Sequence, residues 1–127
     1  MNSICIMREI YKALESYEAE FEKTYGVCLN EAMALCSLSK DPCKLSASEI
    51  AGKTGMSNSH TSKVIKSIEN KELIERSMGM EDKRQMYFTL SAKGKECLEN
   101  ISCKDVVIPE ILRPVFEKLC SEKSEKE

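Results

Sequence analysis

The sequence predicts a mainly α-helical fold with one small two-stranded β element, and three observations carry that expectation. Apolar residues recur at three- and four-residue steps along most of the chain, helix-start signals stand at Ser46, Ser57 and Ser91, and the period changes to two only around residues 85–90. The 127 residues fit a single domain, 42% apolar and 31% charged, which excludes both a disordered tail and a membrane protein. Charges at Arg8, Glu9 and Lys12 interrupt the N-terminal apolar run Ile4 to Met7, which is too short for a signal-peptide core or a membrane span, so a cytoplasmic protein is expected.

The elements follow in order. Ile4, Met7, Tyr11, Leu14, Phe21 and Tyr25, widened by Ile10 and Tyr17, form the stripe of a long first helix that Gly26 ends. Asn30 reads as the N-cap of a second helix through Met33, Leu35, Cys36 and Leu38, stopped at Asp41-Pro42. Ser46 and Glu49 have the spacing of a capping box, which starts a short helix through Ile50 and Ala51. Thr54-Gly55 breaks it, and Ser57 caps the next helix, which carries Val64, Ile65 and Ile68 inward.

Beyond Leu73-Ile74 a strand places Met86, Phe88 and Leu90 on one face and Gln85, Tyr87 and Thr89 on the other. Its partner is Glu75 to Met78, leaving Gly79 to Arg84 as a charged hairpin loop. Ser91 caps the helix resuming at Ala92. A last apolar face, Ile108, Ile111, Leu112, Val115, Phe116, Leu119 and Cys120, follows, with Pro114 kinking that helix or delaying its start, and 121–127 reads as a frayed tail.

Helix, short turn, helix and hairpin is the order of a winged helix-turn-helix. Small Ala51 stands where the two helices approach, Gly55 can reverse the chain with a left-handed backbone, and Thr61 and Val64 face back toward the first of the pair. Charge is distributed to match. Net charge is −2, yet residues 53–84 hold seven Lys/Arg against five Asp/Glu, while 1–52 hold five against eight and 85–127 seven against eight.

Other chemistry is poorly supported. Seven cysteines, an odd number, contain no CxxC pair and the only histidine is His60, so neither a disulfide framework nor a zinc site is expected, and no metal or cofactor is called for. His60 has no nucleophile or carboxylate at a recognisable spacing and no phosphate-binding glycine loop occurs, so the chain is not expected to be an enzyme.

The stretches Leu45-Ser46-Ala47-Ser48-Glu49-Ile50-Ala51, Gly55-Met56-Ser57, Leu73-Ile74-Glu75-Arg76, Glu81-Asp82-Lys83-Arg84 and Leu90-Ser91-Ala92-Lys93-Gly94 resemble the MarR family of bacterial winged-helix transcription regulators, between Leu29 and about Leu98. Asp82-Lys83-Arg84 is similar to the family's Asp-x-Arg wing, and Leu90 to Gly94 to its Leu-Thr-x-x-Gly helix start, with Ser for Thr. Three departures stand out. Glu72 occupies the place of a usual Gly after the recognition helix, Thr61 that of a Val or Ile, and the region after Ser102 is short and contains Pro114.

The resemblance implies a single winged-helix domain over 1–127, with 29–98 as DNA-binding core and helices at 1–25 and 104–120 for dimerisation. It implies an effector-released repressor that binds a pseudo-palindromic operator in double-stranded DNA as a homodimer. Ser57 would cap a recognition helix lying in the major groove, with Asn58, Ser59, His60 and Ser62 as readers of base edges and Lys63 and Lys66 reaching phosphates, Lys53 less directly. Arg84 would enter the minor groove from the wing, flanked by Lys83, with Asp82 orienting it. The effector is not identified by the sequence. Cys5, near Tyr11 on the first helix, is similar to the thiol of peroxide sensors in this family, a variant ranked below a small ligand. The competing reading is a winged-helix protein-interaction module that does not bind DNA.

Overall fold

The computed structural model describes residues 2–40, 44–79, 84–101 and 105–126, and the side chains of these through residue 122. The chain forms two compact units, one built from both chain ends, 1–26 with 103–127, and the other from 27–102. The core expected over 29–98 lies within the second unit.

In the unit of the chain ends, α1 spans Ser3–Tyr25. Asn2 caps it by accepting the Cys5 amide at 2.9 Å, and Gly26 ends it at φ +78°, a left-handed conformation that costs glycine nothing, its N–H donating to the Glu22 carbonyl. The helix is amphipathic as expected, but burial falls on its C-terminal half. Tyr17 and Phe21 are buried, and their rings meet each other and those of Phe116 and Tyr25, the last edge-on at 4.8 Å. Ile4, Met7, Tyr11 and Leu14 stay exposed, Ile4 by 80%.

At the other end of the chain a 3₁₀ turn, Glu110–Leu112, leads into α6, Arg113–Lys126. Pro114 lies in the first turn of α6, where a missing N–H costs no helical bond, so it sets the start and no kink arises. The helix continues through Ser121 to Lys126, across the stretch where fraying is expected.

In the second unit, α2 (Leu29–Ser37), α3 (Ala47–Thr54) and α4 (Asn58–Asn70) pack on one another, followed by β1 (Ile74–Met78), β2 (Met86–Leu90) and α5 (Ala92–Asn100). Leu35, Ile50, Ile68 and Val27 are among the fully buried side chains, each contributing roughly 1.5–3 kcal/mol by leaving water. The Ser46/Glu49 capping box forms in both directions, at 3.2 and 3.1 Å.

The cap of α2 is not Asn30. Cys28 holds the N-cap position, its amide donating to Glu31 Oε1 at 2.8 Å, and Asn30 is the second helical residue. The helix ends at Ser37, and the expected Asp41-Pro42 stop lies outside the described residues.

β1 and β2 pair antiparallel with Ile74 opposite Leu90, Arg76 opposite Phe88 and Met78 opposite Met86. Leu45, just before α3, exchanges two backbone hydrogen bonds with Phe88 and so ties the α2–α3 connection to the outer side of β2. Among the described residues, no helix is long and apolar enough to cross a membrane.

Candidate nucleic-acid interface

Two turns set the direction of α4. Gly55 takes φ +78° and its N–H closes on the Ala51 carbonyl at 2.9 Å, reversing the chain after α3. Ser57 then accepts the His60 amide at 3.2 Å and starts α4. Thr61, Val64, Ile65 and Ile68 are buried on one side of the helix. The Thr61 hydroxyl, where a purely apolar residue is usual in the family it resembles, donates to the Ser57 carbonyl at 2.7 Å, so this buried hydroxyl is satisfied.

Every expected contact residue on this segment is accessible. Ser57, Asn58, Ser59, His60, Ser62, Lys63 and Lys66 are all exposed, and Ser59, Ser62, Lys63, Lys66 and Asn70 follow helical spacing along one stripe. Lys53, on α3, is exposed as well. Arg84 is exposed beside β2, whereas Asp82 and Lys83 lie outside the described residues.

Several residues that hold α4 have no local sequence signal. Glu31, only 4% exposed on α2, accepts from the Ser67 hydroxyl at 2.7 Å and from the Lys71 ammonium at 2.9 Å on both carboxylate oxygens, besides the Cys28 amide. Burial alone raises a carboxyl's pKa, but the donors at Cys28, Ser67 and Lys71 outweigh it and hold Glu31 below the usual range. Arg76 on β1 grips Glu69 on α4 with a bidentate pair, both contacts 2.9 Å, while its guanidinium lies over the Phe88 ring. The hairpin is thereby fixed to the end of α4. Arg76 falls within a stretch that carries the family resemblance, which is the one signal that could have singled it out.

The turn out of α4 closes on Glu72 itself, at φ +64°, the only positive φ on a non-glycine among the described residues. The Ser91 hydroxyl donates to the Glu72 carbonyl at 2.7 Å and accepts the Gly94 amide at 3.0 Å, so one side chain caps α5 and anchors that turn. Gly94 packs so closely that a Cβ there would run into the Leu73 carbonyl. This explains the spacing from Leu90 through Ser91 to Gly94.

Cys5 is half-buried on α1, its thiol free. Burial pushes the Cys28 and Cys97 thiols up, toward the unreactive protonated form. No group of three His, Cys, Asp or Glu among the described residues is arranged to hold a metal ion.

Three helices packed on one another, with α4 presenting an exposed polar side and a two-stranded hairpin locked to it, are a winged helix-turn-helix. Residues 29–86, a little under half of the chain, match the family model described as "MarR family". Solved structures agree over nearly the whole chain. MepR of S. aureus in its complex with DNA is 19% identical, covering 99% of this chain and 90% of its own, with TM-score 0.71. A probable transcriptional regulator from Pseudomonas aeruginosa is 21% identical over 96% of each chain, TM-score 0.73. BpsR of Bordetella bronchiseptica, whose DNA binding is regulated by 6-hydroxynicotinic acid, is 18% identical over 94% of this chain and 92% of its own, TM-score 0.67. A comparison with curated proteins gives no match.

Proposed function

We propose that the chain is a DNA-binding transcriptional regulator that acts as a homodimer, represses from a pseudo-palindromic operator and lets go when an effector binds. The supporting observation is the division of α4 into a buried apolar side and an outward polar side with a hairpin clamped beside it. A helix so presented fits the major groove. Asn58, Ser59, His60 and Ser62 in its first turns face base edges, and Lys63 and Lys66 face phosphates. Asn58 is suited to pair bidentately with adenine. Arg84, flanked by Lys83 and oriented by Asp82, enters the minor groove, where narrow A·T stretches concentrate negative potential.

Association is favoured by the chain ends. Ile4, Met7, Tyr11 and Leu14 on α1 and Ile111, Val115 and Leu119 near and on α6 leave apolar surface in water that a second copy would cover. Effector release then takes the form of a shift between two dimer geometries, of which one matches the operator spacing.

Selection of bound sequences from a random duplex pool, with affinity measured across salt concentrations, tests the reading. The expected result is an inverted repeat with half-sites about one turn, roughly 34 Å, apart and a steep negative salt slope. No enrichment together with a flat salt response would refute it in favour of a protein-interaction module.

A further inference from the structure

Asn30 and His60 come from different helices, thirty residues apart, and meet near the N-termini of α2 and α4. The Asn30 Nδ2 lies 2.9 Å from His60 Nε2. An amide nitrogen only donates, so Nε2 accepts and the ring proton is placed on Nδ1. We infer that Asn30 is a positioning residue that fixes the tautomer of His60 and so makes His60 a hydrogen-bond donor, and not an acceptor, toward DNA.

The consequence is a restriction on what His60 can read. A neutral imidazole with both nitrogens free can give or take one hydrogen bond and discriminates poorly. With Nε2 occupied, only Nδ1–H remains. It suits acceptors, namely purine N7, guanine O6, thymine O4 or a phosphate oxygen, and it rejects the exocyclic amines of cytosine and adenine. Asn30 itself has a half-buried side chain on the second residue of α2 and does not cap that helix, so its contact with His60 is the role the structure gives it. The inference rests on the DNA-binding reading above, since it concerns how one of the proposed base readers is set.

Because His60 is the only histidine, its ring nitrogens give a single signal set in a long-range ¹H–¹⁵N spectrum of the full-length labelled protein. In the wild type, Nε2 is expected at an unprotonated position and Nδ1 at a protonated one. In Asn30→Ala the pattern should move toward the other tautomer. On the selected operator, Asn30→Ala should weaken binding about three- to tenfold, the range of one net hydrogen bond, and should cost nothing further in a His60→Ala background.

A base contact appears as relaxed preference at one operator position, a phosphate contact as uniform weakening, and either supports the inference. It is overturned if the wild-type proton sits on Nε2, or if Asn30→Ala costs the same with and without His60. A melting temperature matched to wild type shows that the variant is folded, and Asn30→Ser, which shortens the side chain while keeping it polar, repeats the test should alanine unfold the chain. Operator binding with the wrong tautomer sinks this inference alone, whereas failure to bind any duplex sinks the regulator reading along with it.

Discussion

Glu31→Gln tests the clamp that holds the end of α4, and the structure allows the size of the effect to be worked out. The substitution keeps the shape of the side chain but removes its charge and replaces one acceptor oxygen with a donor nitrogen. Three donors converge there, the Cys28 amide, the Ser67 hydroxyl and the Lys71 ammonium, at 2.7 to 2.9 Å. Removing one partner of a fully buried ion pair costs ~3–5 kcal/mol. The Lys71 side chain is 36% exposed and can return to water, so the discounted cost is about 2–3 kcal/mol. For a chain of this size that lowers Tm by roughly 7–12 °C.

The pH dependence carries a second signature of the same carboxylate. Its folded pKa is lowered relative to the unfolded chain, so its stabilisation is fully present above the unfolded carboxylate value, about 4.3, and is lost as pH falls through the folded value. Denaturant melts at fixed protein concentration across pH 2 to 7 should therefore show a weaker acid dependence in Glu31→Gln than in wild type. A variant within ~0.5 kcal/mol of wild type at neutral pH, with an unchanged acid limb, would refute the reasoning, since that is the scatter of ordinary surface changes.

Gly94→Ala should destabilise the fold by at least about 2 kcal/mol in denaturant melts, because the new methyl meets the Leu73 carbonyl, a backbone atom that cannot move aside as a side chain would. Glu72→Gly should do the reverse and raise stability by about 0.5–1 kcal/mol, relieving a left-handed residue at some cost in chain entropy. Arg84→Ala should weaken operator binding about tenfold or more in a fluorescence titration while changing Tm by less than about 2 °C, the behaviour of an exposed residue outside the core.

What the sequence makes legible here is whatever is written locally. Ser46 with Glu49, Ser57 and Ser91 announce three helix starts because each satisfies amides within three residues, and the switch of period at 85–90 announces β2 for the same reason. Asn30 misleads because asparagine is a favoured N-cap and cysteine is not, yet Glu31 supplies the closing carboxylate one residue later and draws the helix start back to Cys28. That carboxylate also receives Ser67 and Lys71, more than thirty residues away, which no spacing rule connects to it. The Leu45 bridge and the Arg76–Glu69 pair are long-range in the same sense or cross a turn. On α1 the periodicity identifies a helix but not which of its apolar residues are covered; Tyr17 and Phe21 are, because aromatic partners reach them, and Ile4, Met7, Tyr11 and Leu14 are not.

The exposed cations on the proposed interface argue for two copies acting together. Lys63 and Lys66 on α4 and Arg84 on the hairpin are three per subunit among the described residues. Each phosphate neutralised contributes ~0.9 to the log-log salt slope, so one subunit gives about −2.7 and a pair about −5.4. Over a fourfold rise in salt the first falls roughly 40-fold in affinity and the second over a thousandfold. A single subunit has few groups with which to hold DNA, and the chain as a whole is acidic, at −2. Precise placement must then contribute what charge does not. The α4 helix is constrained toward its start by Asn30 through His60 and at its end by Glu31 and Arg76, three contacts from neighbouring elements on a helix of thirteen residues. On the proposed reading, a recognition helix held this firmly within its own unit would lose little freedom on docking to DNA, so these contacts would add to affinity what the few cations do not.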